Sequence, residues 1–210
     1  MFKLSRIISL LFISLCVIFI ASCSENAGIE RAHSISYNEI SGSQHYSSNT
    51  KKLISSSLVL AKKDLRYDFG SDNPRNGGMD CSGTIHYLLY KTDRIDSPRD
   101  ASEIYVWLQK DHTLHYVHTD HFHSWAFRDL RPGDLLFWTG TYYTHHWPPI
   151  THVMLYIGKN REGEPLMFGA SEGIYDGRID EGVGVFDFQL PNYHDRARFV
   201  AYGCIPHFTC

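Results

Sequence analysis

The chain has 210 residues, and 20 lysines and arginines face 23 aspartates and glutamates, which gives a net charge of −3 near neutral pH. This length is enough for one domain with a substantial hydrophobic core. The slightly acidic balance, without a basic stripe, argues against a nucleic-acid-binding protein, so we expect no nucleic-acid partner.

The first 22 residues have the plan of a secretory signal peptide. Lys3 and Arg6 precede an apolar run over residues 7–21, which is shorter than the roughly 20 residues that a membrane-spanning helix needs. Loss of this segment would remove both basic residues and change the net charge from −3 to −5. We therefore predict a signal peptide over residues 1–22, with an uncleaved membrane anchor as the alternative.

The end of this segment, residues 20–23, resembles the lipoprotein box of bacteria. In such lipoproteins the signal is cut before the cysteine, whose sulfur carries a diacylglycerol. The resemblance implies that Cys23 is lipidated and that its acyl chains hold the protein on a membrane by burying CH₂ groups, at about 0.8 kcal/mol each. Ser24 after this cysteine implies the outer membrane, with the protein on its periplasmic side. A plain signal peptide is the alternative.

The next residues divide into a tether and a helical region. Residues 23–50 are rich in serine, asparagine and glycine, which predicts a flexible tether before a domain over residues 51–210. Apolar residues at helical spacing predict a helix over 51–65. Asp80 is a good N-cap for a second helix that begins at Cys81, and a third helix is predicted over 100–110.

The pattern changes to short β-rich runs after residue 130. Each run is bounded by turn residues, and the runs cover residues 135–138, 152–158, 166–168, 183–186 and 199–202. Helices first and strands second predict an α+β fold, in which the N-terminal helices pack on an antiparallel sheet of about five strands.

The cysteines differ in their expected roles. Cys204 and Cys210 lie close together near the end of the chain, where a disulfide or two free thiols would both fit the sequence. Cys81 is then the odd thiol in the body of the domain. An unpaired cysteine in an exported protein is a hazard, so we expect it to have a chemical function.

Cys81 and His152 have the arrangement of a nucleophile and its base. A cysteine in the first turn of a helix meets free amides and the positive end of the helix dipole, which favour the reactive thiolate. His152 begins an apolar strand, where an imidazole has no packing role. The pair therefore fits the Cys–His chemistry of papain-like enzymes. A buried small cysteine and a capped or surface histidine are the alternatives.

Four segments, in this order, resemble the NlpC-type cell-wall peptidases, a papain-like group of bacterial peptidoglycan hydrolases. They are residues 67–70 with 80–83, residues 99–102, residues 130–138 and residues 151–158. The resemblance covers residues 51–205. It implies hydrolysis of peptidoglycan stem peptides, mostly at the γ-D-glutamyl–diamino-acid bond, through an acyl-enzyme intermediate and without a cofactor.

The resemblance also implies roles for individual residues. Cys81 is the nucleophile and His152 the general base. Tyr67 matches a tyrosine whose hydroxyl lies near the nucleophile, with a packed aromatic as the alternative. Asp80 and Ser82 match positions that help to hold the free amine of the substrate in some members, and helix capping is their alternative role.

One departure from the family pattern concerns the residue that orients the catalytic imidazole. Family members place a polar residue, usually histidine, on the strand after the histidine strand, and this position falls on Gly169. Ser171 lies on the same strand face and is the predicted orienting residue. Glu172, a backbone carbonyl or a water molecule are alternatives, and loss of the orienting group would lower activity.

Histidines cluster in two further segments, residues 112–123 and the pair His145 and His146. We expect these segments to form loops that wall the cleft. Clustered histidines also occur in zinc sites, but the chain has no HExxH motif, second cysteine pair or carboxylate at ligand spacing, so no metal is predicted.

Three other functions share these sequence features. They are a CHAP-type amidase that cuts the N-acetylmuramoyl–L-alanine bond, an acyltransferase of the lecithin retinol type, and a non-catalytic envelope-binding lipoprotein, which Gly169 favours. No sequence feature indicates the oligomeric state, so a monomer is the default expectation.

Overall fold

The structure, a computed structural model, describes residues 30–192 and 194–208. The predicted signal peptide, Cys23 and Cys210 lie outside the described residues. Cys204 is disulfide-bonded, and its pairing with Cys210 stays a prediction. Within the described ranges, no helix is both long and apolar enough to span a bilayer.

Three α-helices form the N-terminal half of the domain: α1 (Ser48–Ala61), α2 (Cys81–Asp93) and α3 (Ala101–Lys110). Each begins after a polar residue whose side chain accepts a hydrogen bond from a backbone amide of the first turn, which explains where the helices start. The capping residues are Ser47, Asp80 and Asp100. The three predicted helices are therefore confirmed, although α1 begins three residues before the predicted range, because Ser47 caps it, and ends four residues before the end of that range.

The strands form one large sheet and one small pair. Their bounds are β1 (Glu30–Arg31), β2 (Arg66–Tyr67), β3 (Gly78–Met79), β4 (Leu114–Tyr116), β5 (Leu135–Thr139), β6 (Ile150–Lys159), β7 (Pro165–Tyr175), β8 (Arg178–Asp187) and β9 (Arg198–Gly203). The large sheet has seven strands in the order β1-β8-β7-β6-β5-β9-β4, and β2 pairs with β3. Its pairs are antiparallel except β1 with β8. The predicted α+β fold is confirmed, and the five predicted strands are β5 to β9.

The helices cover one face of this sheet. Helix α1 contacts β8, α2 contacts β6 and β7, and α3 contacts β6. Leu53 and Ile54 of α1, Leu89 of α2 and Ile104 of α3 are at most 1% exposed in the core between the two layers. This packing places the N-terminus of α2 close to the start of β6, and so positions the candidate site.

The histidine-rich segment covers the opposite face of the sheet. Phe122 and Phe127 from this part of the chain pack against Phe188, at ring-centroid distances of 4.9 and 6.5 Å, in a second core. His115 stacks on Tyr202 of β9 at 4.9 Å. The expectation that residues 112–123 wall the cleft is therefore wrong, because the aromatic side chains of this region anchor it on the outer face.

The predicted tether is packed onto the domain from residue 30 onward. Ile35 and Ile40 are 4% and 2% exposed within the core on the helical side. The Tyr37 hydroxyl donates a hydrogen bond to the Ser43 carbonyl at 2.9 Å, and β1 joins the edge of the sheet beside β8. The prediction of a flexible tether thus does not hold for residues 30–50, because burial of the Ile35 and Ile40 side chains holds the segment on the domain.

Candidate active site

The nucleophile position lies at the start of α2, as predicted. Cys81 is 5% exposed, and the Asp80 carboxylate caps the helix by accepting the Gly83 amide at 2.7 Å. The backbone amides of Val153 and Ser82 lie within hydrogen-bonding reach of the Cys81 thiol. Because Val153 follows His152 directly, the structure brings the two predicted catalytic residues to one place.

His152 lies on β6 opposite Trp138 of β5, with 5.7 Å between the ring centroids. His152 also lines a large cavity. Burial lowers the pKa of His152 to about 4, against a weak opposing effect of the Asp80 charge. The imidazole is therefore neutral over the physiological pH range and able to accept a proton.

Tyr67 lies on β2 and lines the same cavity as His152. Its hydroxyl is close enough to the Cys81 thiol to share a hydrogen bond with it. Burial, followed by the charge of Cys81, raises the pKa of Tyr67, so its hydroxyl keeps its proton. The backbone amide of Tyr67 donates to a Glu181 carboxylate oxygen at 3.0 Å, which fixes β2 against β8. The structure therefore places this tyrosine beside the thiol, as the family resemblance implies.

The cavity that Tyr67 and His152 line has a volume of about 1100 Å³. Besides Tyr67 and His152, its wall consists of Glu30, Arg31, Arg66, Phe69, Thr141, Tyr142, Thr151, Ser171, Glu172 and Glu181. The loop between β5 and β6 thus walls the cleft, as expected, through Thr141 and Tyr142. Within residues 30–192 and 194–208, no group of three or more histidines, cysteines and acids is placed to hold a metal ion.

Comparison with known proteins identifies the family. The model of the NlpC/P60 family matches residues 64–174, a segment that contains Cys81, His152 and the strands around them. The chain belongs to the NlpC/P60 family. No curated protein matches this chain.

Solved structures share the fold of this NlpC/P60 protein. One of them is the crystal structure of a Staphylococcus aureus protein named as similar to a lipoprotein of the NLP/P60 family, with a TM-score of 0.50 and 19% sequence identity. The match covers 76% of this chain and 43% of the other chain, so this chain spans less than half of that protein's length. Family membership confirms the predicted resemblance and supports a cell-wall peptidase-like function in general terms.

At Gly169, the family position for the imidazole-orienting residue, the space that a side chain would need is occupied by Met154. A Cβ atom at Gly169 would collide with the sulfur of Met154, which lies two residues after His152 on β6. The predicted substitute, Ser171, lines the same cavity, but its hydroxyl donates to the Glu172 carbonyl at 2.9 Å. In the part of the chain that the structure describes, no side chain hydrogen-bonds the His152 imidazole, so Ser171 does not take the expected role in this conformation.

Asp80 and Ser82 are buried, are not among the residues that line the cavity, and are bound by Arg99. The two terminal guanidinium nitrogens donate to the Asp80 carboxylate at 3.0 and 2.7 Å, and one of them donates to the Ser82 hydroxyl at 2.9 Å. The Gly70 amide donates a further hydrogen bond to the Asp80 carboxylate at 2.8 Å. Helix capping is thus the role that the structure shows for Asp80, and a substrate amine would have to displace Arg99 to reach it.

Arg99 is a site residue that the sequence reasoning did not single out. It belongs to the family-like segment 99–102, but its role depends on contacts 17 and 19 residues away in sequence. A signal was available, because an acid at the N-cap of a buried nucleophile helix needs a cationic partner to stay charged.

The resting site holds a neutral thiol and a neutral imidazole. Burial raises the pKa of the Cys81 thiol to about 11, although the backbone amides of Val153 and Ser82 and the charge of Arg99 oppose this rise. With the imidazole pKa lowered at the same time, a preformed thiolate–imidazolium pair is disfavoured. The thiol proton must therefore be transferred as the sulfur attacks, not beforehand.

Alkylation of Cys81 should consequently depend steeply on pH. The thiolate is the reactive form, so with a pKa of about 11 the rate should rise about tenfold per pH unit between about pH 6 and pH 9. Iodoacetamide labelling, measured on the Cys81 peptide by mass spectrometry, checks this. Glutathione, an ordinary thiol with a pKa near about 8.5, is the control. A rate plateau below pH 8 would instead reveal a stable ion pair.

Proposed function

We propose that this protein is a cysteine endopeptidase that hydrolyses stem peptides of peptidoglycan, with the γ-D-glutamyl–diamino-acid bond as the scissile bond. The observation that carries the proposal is the placement of the Cys81 thiol at the start of α2, against the backbone beside His152 and next to Tyr67, two residues that line a large cleft. Membership in the NlpC/P60 family supports the same chemistry.

The proposed reaction uses the two residues in both half-reactions. The Cys81 sulfur attacks the scissile carbonyl while His152 takes the thiol proton. The C–N bond then breaks, and His152 donates that proton to the leaving amine, which leaves a thioester on Cys81. Water attacks the thioester, His152 accepts a proton from it, and the C–S bond breaks. The carboxylic acid leaves and the thiol regains its proton.

We further propose that the protein is anchored on the periplasmic side of the outer membrane by lipidation of Cys23. The support is the lipoprotein-box resemblance of residues 20–23 together with Ser24. The Staphylococcus aureus protein of similar fold is itself named as similar to a lipoprotein. Metabolic labelling with a palmitate analogue tests this: label is expected in the wild type and absent in Cys23→Ala.

Product analysis tests the proposed reaction. Purified disaccharide-peptides are incubated with the full-length protein in detergent, and the products are weighed by mass spectrometry. The proposal expects a disaccharide-dipeptide and a shortened peptide that begins with the diamino acid. Free disaccharide with an intact peptide would indicate an amidase. Transfer of an acyl chain from added phospholipid, without peptide cleavage, would indicate an acyltransferase.

A non-catalytic envelope-binding role is the second candidate function. Two observations favour it: Met154 fills the space next to Gly169, and no side chain of the described residues orients the His152 imidazole. A protein of this kind would bind peptidoglycan without releasing products, and Cys81→Ala would bind as well as the wild type. Product release that depends on Cys81 excludes this candidate.

A further inference from the structure

Two aromatic rings stand exposed at one end of the cleft. Phe69, two residues after Tyr67, is 74% exposed, and the Tyr142 ring meets it edge to face with 6.1 Å between centroids. Both rings line the same cavity as Tyr67 and His152. The proposed reaction uses neither ring, and exposed apolar side chains rimmed by polar groups are typical of a ligand-binding surface.

The two ends of the cleft differ in chemistry. The charged residues of its wall lie on β1, β2, β7 and β8, towards one edge of the sheet. Phe69 and Tyr142 lie on the other side of His152, where the loop between β5 and β6 closes the cleft. Charged groups suit the carboxylates and amine of a peptide, so the aromatic end is left for an uncharged part of the substrate.

Sugar rings have the surface chemistry that this aromatic end requires. A pyranose presents a face of weakly polarised C–H bonds that packs on the negative face of an aromatic ring, while its hydroxyls need polar neighbours. Thr141 supplies such a neighbour in the same wall, because the hydroxyl of this exposed residue donates to the buried Thr151 hydroxyl at 2.8 Å and keeps an acceptor lone pair for a sugar hydroxyl. In the proposed substrate, the glycan strand is the uncharged sugar component nearest the scissile bond.

The state of Asp80 supports a glycan-linked substrate independently. A stem peptide released from the glycan has a free terminal amine, whereas a peptide still attached to it has an amide there. The Asp80 carboxylate and the Ser82 hydroxyl, which match the amine-holding positions of some family members, are buried and bound by Arg99. The acceptor oxygens of both residues are already paired, which suits a substrate without a free terminal amine.

We propose that Phe69 and Tyr142 form a saccharide subsite that binds a sugar ring of the glycan strand, so that the protein acts on stem peptides still attached to glycan. This inference rests on the proposed function and specifies its substrate class. It predicts a preference for a disaccharide-peptide over the free stem peptide with the same scissile bond.

The test compares these two substrates with the full-length protein in detergent. Phe69→Ala and Tyr142→Ala should each raise the KM for the disaccharide-peptide about tenfold and leave the KM for the free peptide within about twofold. Trp125→Ala is the matched control. Trp125 is 77% exposed, packs on Arg128 and does not line the cleft, so its loss should change neither KM.

Other outcomes separate the subsite from the reaction. Equal KM changes on both substrates, or no change on either, would overturn the subsite while the hydrolase stands. If neither substrate is cleaved, calorimetric titration with the disaccharide-peptide decides. Binding that weakens about tenfold in Phe69→Ala and Tyr142→Ala, but not in Trp125→Ala, would support the subsite without the proposed reaction. Wild-type binding that is undetectable, or unaffected by these changes, would overturn it.

Discussion

Replacing His152 by glutamine or alanine is expected to lower kcat/KM for stem-peptide cleavage by about 10²–10⁴-fold, the usual contribution of a positioned general base. The residue after His152, Val153, contacts the Cys81 thiol through its backbone, and the imidazole pKa of about 4 keeps the ring in the accepting form at neutral pH. Because the pKa of the Cys81 thiol is about 11, only a small fraction of the protein holds a thiolate at neutral pH, so attack needs a base that removes the thiol proton. Steady-state kinetics on a disaccharide-peptide measure the loss.

His121→Ala is the control for this effect. His121 is exposed, pairs with Asp120 at 3.0 Å and lies in the segment on the outer face of the sheet, so its loss should leave the rate unchanged. Glutamine at position 152 keeps most of the side-chain volume, and circular dichroism reports whether the fold is intact. A His152→Gln protein that folds and retains near-wild-type activity would refute the assigned role of His152.

Removal of the Arg99 guanidinium is expected to destabilise the domain by about 1.5–3 kcal/mol, the range for hydrogen bonds to a charged partner. Arg99→Ala leaves the Asp80 carboxylate, which is 5% exposed, without the two donors that neutralise its charge. The same change should slow alkylation of Cys81, because the Arg99 charge lowers the pKa of that thiol. Urea unfolding and the labelling rate measure the two effects.

Arg75→Ala provides the matched comparison for Arg99. Arg75 is exposed in the loop before α2, and its replacement should change the free energy of unfolding by no more than about 0.5 kcal/mol. If Arg99→Ala and Arg75→Ala lower the free energy of unfolding by the same amount, the Arg99 guanidinium does not stabilise Asp80 in solution. Arg99 would then not be the main electrostatic partner of Asp80 at the start of α2.

Local signals predicted most of the fold. The N-cap at Asp80 marked the start of α2, and apolar runs between turn residues marked β5 to β9, because capping and periodicity act within a few residues. The edge strands β1 and β4 have two and three residues, too few for a periodic pattern. Burial of Ile35 and Ile40 was missed for a similar reason, since two isolated isoleucines do not reveal their distant partners.

The candidate site shows the same division between local and long-range information. The motifs around Cys81, His152 and Tyr67 predicted that these residues form one site. The structure places the Tyr67 hydroxyl and the backbone of Val153, next to His152, at the Cys81 thiol. The position of Met154 against Gly169 depends on the pairing of β6 with β7, which no single segment reveals. Arg99 similarly acquires its role only when the start of α3 packs beside the start of α2.

Digestion of purified peptidoglycan by the wild-type protein and by Cys81→Ala, both full-length in detergent with a chelator present, tests whether Cys81 is the nucleophile of a peptidoglycan hydrolase. Released peptides are counted by mass spectrometry. We expect new peptides from the wild type and none above the protein-free blank from the variant. Equal release by both proteins would show that Cys81 is not the nucleophile, and no release by either would contradict the hydrolase itself.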